Sequence, residues 1–255
     1  MTALELCRVG SQPERVVVRE YGPRDSQANP TVAWQEAALL RALHAAGLSV
    51  PRPQHVGAGV LVTGFVEGEP IFGPADGAAH VRQMAAFLSR LHALPPTDFG
   101  FLRPLGLPAP RPERPDDSLS ESRIRDALDR FGTPPLTRPA VLHGDFWPGN
   151  LLWQAGRLVA VIDWEDAAPG SSLADVANAR LELLFFLGAE AMHGFTHKYA
   201  VQSGADLAAL PYWDLRAALR PCGRLGGWGL EPRLERQMRQ RHAEFVDAAL
   251  RSLSP

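Results

Sequence analysis

Two short apolar runs with a polar loop between them constrain the possible folds of this chain more than any other feature of its sequence. Residues 140–142 and 158–162 have the composition of strands, and the segment between them contains the glycines and the proline of a tight loop. Asp145 lies on this loop and Asn150 follows five residues later. Asp163 ends the second run, thirteen residues beyond Asn150. Loop and strand-end positions allow these three side chains to converge on one point.

This set of groups is typical of phosphoryl transfer. A carboxylate is needed to orient an acceptor hydroxyl and take its proton, and two further oxygen ligands are needed to hold Mg²⁺ against the phosphates of a nucleotide. Asp145, Asn150 and Asp163 supply these groups. The alternative is a polar hairpin in which Asp145 and Asn150 only satisfy the backbone of a turn.

The loop resembles the catalytic loop of a known enzyme family. His143-Gly-Asp, then Asn five residues after Asp, then Ile-Asp-Trp, is similar to the catalytic and metal loops of the aminoglycoside phosphotransferase and choline kinase family, whose fold is that of protein kinases. The resemblance implies an α+β, two-lobed, protein-kinase-like fold. It also implies that Asp145 is the catalytic carboxylate, that Asn150 and Asp163 hold Mg²⁺, and that ATP or GTP is the phosphoryl donor.

Two further residues near the loop are interpreted as structural. His143 braces the loop in the family pattern, and an acid/base role is its alternative. Asp175 admits two interpretations. With Ser172 it forms a helix-capping pair, whereas the resemblance implies that it ties its helix to the backbone of the catalytic loop.

Upstream segments follow the family in the same order. Arg19 resembles the basic strand residue that contacts the α- and β-phosphates, and Glu36 resembles the helix residue that pairs with it. An exposed strand charge and a solvated helix residue are the alternatives. The segment with Gly64, Phe65 and Val66 resembles the hinge between lobes, where the backbone of Gly64 and Val66 meets the adenine edge.

The predicted organisation is a small lobe of mixed composition followed by a larger helical one. The resemblance places an N-terminal nucleotide-binding lobe at residues 1–66 and a catalytic and substrate-binding lobe at residues 67–255. Only about nine residues precede the turn at Gly10. The first strand and the phosphate-covering loop of the family are therefore expected to be missing or reduced, with residues 10–14 as the substitute.

Local patterns predict the individual elements. Residues 4–9 and 15–21 are predicted to form a hairpin, and a helix follows between Asn29 and Gly47. Helices are predicted over 75–94 and 120–131, and after Ser172 with breaks near Gly204, Pro211 and residues 226–229.

The composition excludes several classes of partner. The 255 residues carry a formal net charge of −2, so neither nucleic acid nor an anionic membrane is expected as a partner. Cys7 and Cys222 are far apart in the sequence, which favours two reduced thiols. No signal peptide or membrane span is apparent, so a cytoplasmic protein is expected. The sequence does not predict the oligomeric state.

The C-terminal composition bears on the phosphoryl acceptor. Residues 205–255 contain six acidic residues and eight arginines, which indicates either a solvated basic face or an acceptor that is neutral or anionic. Trp147, Trp164 and Trp228 are candidates for stacking on a sugar or a quaternary ammonium, with core packing as the more common role.

The sequence therefore predicts an enzyme, a kinase that transfers the γ-phosphoryl group of ATP to a hydroxyl of a small metabolite or antibiotic. The alternative function is a catalytically weak or inactive kinase-like protein that binds a nucleotide or metabolite. The identity of the acceptor and the preference for ATP or GTP stay open.

Overall fold

The N-terminal part of the chain contains an antiparallel sheet and a helix that packs on it. A computed structural model describes residues 2–6, 14–23, 27, 29–106, 109–136 and 138–253. Four strands form the sheet in the order β1-β2-β4-β3: β1 (Thr2–Leu6), β2 (Glu14–Glu20), β3 (Pro53–Gly57) and β4 (Val60–Gly64). The predicted N-terminal hairpin is confirmed, because β1 pairs with β2. The proposed substitute for the phosphate-covering loop, residues 10–14, lies outside the described residues except for Glu14.

Helix α1 (Val32–Ala45) packs on this sheet. Its predicted apolar stripe is buried, with Leu39 and Leu43 both 0% exposed. Asn29 stands before the helix and accepts hydrogen bonds from the backbone N–H and hydroxyl of Thr31, at 3.3 and 3.0 Å. Gly47 follows its end with a φ of 75°, a conformation that favours glycine. The stripe fixes which face of α1 meets the sheet.

The rest of the chain is mainly helical. Its helices are α2 (Gly77–His92), α3 (Glu121–Phe131), α4 (Ser172–Leu187), α5 (Ala189–Ser203), α6 (Leu210–Ala218) and α7 (Pro232–Leu253). Short 3₁₀ turns occur at Pro96–Phe99, Asp117–Leu119, Pro148–Asn150 and Leu225–Gly227. The predicted helices 75–94 and 120–131 are confirmed to within two residues at each end. Pro211 lies in the first turn of α6, where proline is tolerated, so it starts a helix rather than breaking one.

Two pairs of short strands support the loops between the helices. Strand β5 (Pro139–Leu142) pairs with β8 (Ala168–Ser171), and β6 (Leu151–Gln154) pairs with β7 (Arg157–Val161), both antiparallel. Strands β6 and β8 were not among the predicted elements. Because β5 ends just before His143 and β7 ends two residues before Asp163, the sheets hold both polar loops at their strand ends.

A continuous apolar core runs through the molecule. It includes α1 and the sheet at one end and α2, α4, α6 and α7 at the other. The segment after β4 is fastened to the C-terminal part by a pair of backbone hydrogen bonds between Glu69 and Trp153, at 3.0 and 2.9 Å. The division of the chain at residue 66 stays a prediction. Within the described residues, no helix is both long and apolar enough to cross a bilayer.

Candidate active site

The loop after β5 is held in a conformation that requires glycine. Gly144 has a φ of 86°, and a Cβ atom at this position would overlap the carbonyl oxygen of Asp166 on the neighbouring loop. The two polar loops are therefore in backbone contact at Gly144. This contact places Asp145, the next residue, at the point where the loops meet.

His143 braces the loop from beneath. The ring is fully buried, its Nδ1 accepts a hydrogen bond from the N–H of Asp145 at 3.2 Å, and its Nε2 lies 3.0 Å from the carbonyl oxygen of Ile162. These two contacts fit a neutral imidazole that carries its proton on Nε2. Burial lowers the pKa of His143, although the charge of Asp175 opposes the effect. A neutral ring that connects both loops fits the brace better than an acid/base role.

Asp175 fastens the same loop from the opposite side. Its side chain is 1% exposed and accepts hydrogen bonds from the backbone N–H groups of His143 at 2.7 Å and Gly144 at 2.9 Å. His92 of α2 lies 3.2 Å from Asp175 Oδ2 and 2.8 Å from the hydroxyl of Tyr199. The predicted capping pair of Ser172 with Asp175 is wrong, because Ser172 is the first residue of α4 rather than its cap and the Asp175 carboxylate binds the catalytic loop. Asp175 instead ties α4 to the loop, as the resemblance implied.

Asn150 and Asp163 lie on the two loops that His143 joins. The N–H of Ile162 donates to the carbonyl oxygen of Asn150 at 2.9 Å, so the loops are also linked at this point. The side-chain NH₂ of Asn150 donates to Asp145, to its carbonyl oxygen at 2.9 Å and its Oδ2 at 3.3 Å. No hydrogen bond from a described residue engages Asn150 Oδ1. This amide oxygen is therefore available as a ligand.

Asp163 has an unusual backbone conformation for its residue type. Its φ is 66°, which is costly for a non-glycine residue and is commonly found at functional sites. The carboxylate accepts a hydrogen bond from Arg19 at 2.8 Å. Its charge also contributes to the raised pKa of Asp145, after burial and against the opposing charge of Arg220. Asp163 directly follows Ile162, whose backbone is hydrogen-bonded to Asn150 and to the ring of His143, so the second loop is joined to the loop of Asp145 beside this residue.

The donors present fit a magnesium ion. Mg²⁺ binds hard oxygen atoms and commonly takes only one or two protein ligands besides water and phosphate. Asn150 Oδ1 and the carboxylate of Asp163 are such donors. Within the described residues no cluster of three or more histidine, cysteine, aspartate or glutamate side chains has a metal-binding arrangement. A site of this chain would therefore depend on the phosphates of a nucleotide to complete the shell.

Arg19 is the centre of an ionic network between the sheet, α1 and the second loop. Its guanidinium contacts Glu36 at 3.4 Å and Asp163 at 2.8 Å, and it also pairs with Glu165. The side chain is 13% exposed, and burial lowers its pKa, but the surrounding carboxylates, Glu36 first, outweigh burial and raise it. The predicted pair of Arg19 with Glu36 is present in the structure.

Glu36 is held by two neighbouring side chains. Besides its contact with Arg19, it accepts a hydrogen bond from the hydroxyl of Tyr21. Burial raises the pKa of Glu36, and the charge of Arg19 opposes the rise. Since Arg19 also contacts Asp163, this arginine connects Glu36 of α1 to the second loop. Tyr21 and Glu165 belong to the network, and sequence analysis did not identify either of them.

The hinge segment offers one free backbone donor. The N–H of Gly64 donates to the carbonyl oxygen of Arg52 at 2.9 Å, and that of Phe65 donates to Arg15 at 3.0 Å. The guanidinium of Arg15 also stacks on the Phe65 ring, 3.7 Å from its centroid. Among the described residues, nothing accepts the N–H of Val66. An adenine edge at this segment would therefore use the N–H of Val66, with Gly64 contributing through its carbonyl group.

An arginine from the C-terminal part contacts Asp145 directly. Arg220, just after α6, donates to the carbonyl oxygen of Gly144 at 2.9 Å and forms an ion pair with Asp145 Oδ1. Its side chain is 40% exposed. No local pattern indicates this contact, because the two residues are 75 positions apart. Arg220 was identified only as one of many C-terminal arginines.

A cavity of about 570 Å³ opens beside Gly144, with the second loop on one side and α6 on the other. We call it the arginine cavity, because five arginines line it: Arg114, Arg125, Arg216, Arg220 and Arg224. Its volume suits a small molecule. The other C-terminal arginines lie on α7, outside the cavity lining.

Aromatic side chains gather on another side of the catalytic loop. Phe72 and Phe186 have ring centroids 4.8 Å apart, and Trp147 lies 6.1 Å from Phe72 and 6.0 Å from Phe186. Trp164 is 2% exposed and packs in the core, whereas Trp228 is 41% exposed. Of the three tryptophans, only Trp147 therefore lies in an accessible aromatic group next to Asp145.

Comparison with known proteins agrees with this arrangement. The model of the phosphotransferase enzyme family matches residues 6–210, well over half of the chain. Hygromycin-B 4-O-kinase of Escherichia coli is 41% identical over 66 residues, which is 25% of this chain. The chain spans only 19% of the length of that curated relative.

Solved structures are similar over nearly the whole chain. An amicoumacin kinase in complex with AMP-PNP, Ca²⁺ and its antibiotic has a TM-score of 0.65 at 15% identity, with 96% of this chain and 84% of that chain covered. A spectinomycin phosphotransferase in complex with ADP and spectinomycin has a TM-score of 0.61 at 16% identity, over 98% and 88%. At these identities the likeness shows the fold, which confirms the predicted two-lobed, protein-kinase-like architecture. The extent of the family match shows that the chain belongs to the phosphotransferase enzyme family.

Proposed function

We propose that this phosphotransferase transfers the γ-phosphoryl group of ATP or GTP to a hydroxyl of a small molecule, with Asp145 as the catalytic carboxylate. The observation that carries the proposal is the hydrogen bond of Asn150 to the Asp145 carboxylate, on a loop that His143 joins to the loop of Asp163. The similar structures bound to amicoumacin and spectinomycin support a small antibiotic or metabolite as the acceptor.

Each side chain has a distinct task in this proposal. Asp145 orients the acceptor hydroxyl and accepts its proton, and the hydrogen bond from Asn150 holds its carboxylate in place. Arg19 contacts the nucleotide phosphates, with Glu36 positioning its guanidinium. Asn150 and Asp163 would hold Mg²⁺, which supplies charge neutralisation at the phosphates when bound.

The pKa of Asp145 affects how well its carboxylate can accept the proton of the hydroxyl. Burial raises its pKa, while the charge of Arg220 opposes the rise. A general base becomes more effective when its pKa approaches the working pH. Partial burial of Asp145 therefore favours proton acceptance, provided that the ion pair with Arg220 opens when the acceptor binds.

The proposal is tested by phosphoryl transfer from radiolabelled ATP and GTP with Mg²⁺. The panel contains amicoumacin, spectinomycin, hygromycin B, macrolides, sugars and amino alcohols. For Asp145→Asn we expect a loss of turnover of about a hundredfold or more, with nucleotide affinity changed by less than about threefold. Asp129→Asn is the matched control, because Asp129 is 79% exposed on α3 and its ion-pair partner is Arg111, which is not a residue of the site. Full activity of Asp145→Asn would refute the assigned role.

The ion pair of Arg220 with Asp145 also favours the second candidate, a kinase-like protein that binds without transfer. A paired and partly buried carboxylate is a poor proton acceptor until the pair opens. This candidate predicts that nucleotide with Mg²⁺ raises the melting temperature while no acceptor in the panel gains phosphate. Transfer to any one of the acceptors excludes it.

A further inference from the structure

The charges that line the arginine cavity are not balanced within the cavity. Its lining contains five arginines and four carboxylates, the latter being Asp116, Glu121, Asp166 and Asp175. Three of the four carboxylates are already engaged by groups of the protein. Asp166 is the one that has no hydrogen bond or ion pair with a described residue.

The engaged carboxylates have specific partners. Glu121 forms an ion pair with Arg125 at 2.8 Å, and Asp175 binds the backbone of the catalytic loop. Asp116 accepts hydrogen bonds from the hydroxyl of Ser118 and from the N–H of Gly223, the latter at 2.9 Å. Glu121 is thus paired with Arg125, and neither Asp116 nor Asp175 forms an ion pair with a described arginine of the cavity.

Three arginines of the cavity lack a carboxylate partner. No described carboxylate lies within 4 Å of Arg114, Arg216 or Arg224, although Arg220 has Asp145. Arg216 is half-buried, and burial lowers its pKa, with only Tyr212 opposing the effect. A partly buried cation without a counter-charge is unfavourable, so this position favours binding of an anion.

Arg216 is also held in position. Its guanidinium donates to the carbonyl oxygen of Gly106 at 2.9 Å and lies 5.2 Å from the ring centroid of Trp213, which lines the same cavity. A carbonyl group and an aromatic face fix an arginine without neutralising it. Donors of a fixed guanidinium that remain unused are suited to the two oxygens of a carboxylate or phosphate.

We propose that the arginine cavity binds an anionic oxygen group, a carboxylate or a phosphate, of the phosphoryl acceptor. The acceptor is then a small hydroxylated anion rather than a polycation. This inference rests on the proposed function, because it treats the cavity beside Gly144 as the acceptor side of the site. A polycationic acceptor would bring like charges against Arg114, Arg216 and Arg224, with Asp166 as the one free carboxylate in the lining.

Arg220 connects this cavity to the catalytic carboxylate. It lines the cavity and at the same time pairs with Asp145. An anion in the cavity offers this exposed guanidinium a second partner and so weakens its hold on Asp145. Binding of the correct acceptor would thereby free Asp145 Oδ1 for the acceptor hydroxyl.

The inference is tested with hexoses that differ in charge but share hydroxyl groups. D-glucuronate, D-glucose 6-phosphate, D-glucose and D-glucosamine are titrated calorimetrically into the full chain with Mg²⁺ and a saturating non-hydrolysable ATP analogue. We expect at least one of the two anions to bind about tenfold or more tightly than glucose, and glucosamine to bind no better than glucose. The two anionic probes distinguish a carboxylate from a phosphate site.

Variants assign the effect to the cavity. Arg216→Gln with Arg224→Gln should weaken the anion about tenfold or more and change binding of glucose less than about twofold. Arg236→Gln on α7 is the matched control, because Arg236 is exposed and does not line the cavity. Thermal melting of each variant checks that it folds.

The outcomes separate this inference from the proposed function. Three results would overturn the anionic acceptor. They are binding of glucosamine that is as tight as or tighter than that of both anions, absence of binding by both anions, and unchanged anion affinity in the double variant. Transfer of phosphate to a cationic acceptor such as spectinomycin would overturn it while sustaining the kinase. Anion binding that requires the two arginines, without transfer to any hydroxyl, would sustain the cavity and overturn the proposed function.

Discussion

The carboxylate of Asp175 offers a sharp test of how the catalytic loop is held. Replacing Asp175 by Asn preserves the shape of the side chain but exchanges one oxygen for an NH₂ group. The two oxygens now accept from the N–H groups of His143 and Gly144, at 2.7 and 2.9 Å, and Oδ2 also faces His92. In the variant one of these buried N–H groups would face another donor.

The expected loss follows from these contacts. A hydrogen bond to a charged group contributes about 1.5–3 kcal/mol, and a buried donor left without a partner costs about 1–3 kcal/mol. Since Asp175 is 1% exposed, water cannot replace the lost acceptor. We therefore expect Asp175→Asn to lower the free energy of unfolding by about 3–5 kcal/mol. Turnover should fall as well, because the backbone before Asp145 loses its anchor.

Urea unfolding at several pH values is the assay. Burial acts to raise the pKa of Asp175, but its contacts with His92 and the charge of His143 outweigh burial and hold it below its usual value. The stabilisation is thus present above the unfolded pKa of about 3.8 and is lost as the pH falls through the folded pKa. A constant difference between wild type and variant from pH 8 to pH 5 is expected. A difference below about 1 kcal/mol, or one that grows on acidification, would refute the reasoning.

Two other substitutions test the surroundings of the loop. Gly144→Ala should lower the free energy of unfolding by about 3 kcal/mol or more, because the new Cβ overlaps the backbone of Asp166. Gly132 has a φ of 67° and open space around it, so Gly132→Ala should cost only about 1 kcal/mol in the same urea titration. Burial and the charge of Asp145 raise the pKa of Glu182 to about 7, so this residue lowers the free energy of unfolding progressively as the pH rises from its ordinary pKa of 4.5 to about 7. Glu182→Gln should therefore gain about 1–3 kcal/mol relative to wild type between pH 5 and pH 8, and a pH-independent difference would contradict this.

The sequence predicted the parts of the site that depend on order along the chain. Asp145 and Asp163 follow short apolar runs that form strands of two different small sheets, and the loops after these strands are joined through His143. Arg19 and Glu36 followed from the order of a strand and a helix, and the structure brings them together. The pairing of Arg19 with Glu36 is confirmed because it required only local periodicity and a known succession of elements, and the roles of Asp145, Asn150 and Asp163 stay a prediction.

Local sequence patterns do not predict contacts between segments that are distant in the chain. Strands β6 and β8 have four residues each, too few for alternation to be recognised, and the second includes Pro169 and Gly170. Asp175 fits a capping pattern with Ser172, and only the folded chain shows that its carboxylate turns to the catalytic loop instead. The contact of Arg220 with Asp145 depends on where α6 ends in space, which no local pattern specifies.

The two carboxylates at the centre of the site are held by arginines of different character. Arg19 is 13% exposed and is fixed by Glu36 and Glu165 as well as by Asp163, so its removal would leave several charges uncompensated. Arg220 is 40% exposed and has Asp145 as its one carboxylate partner among the described residues. An exposed ion pair contributes little and opens readily. We therefore expect the nucleotide side of the site to be preorganised, because any movement of Arg19 would break its ion pairs with three carboxylates. The acceptor side should be set by ligand binding, because Arg220 can exchange Asp145 for an anion at little cost.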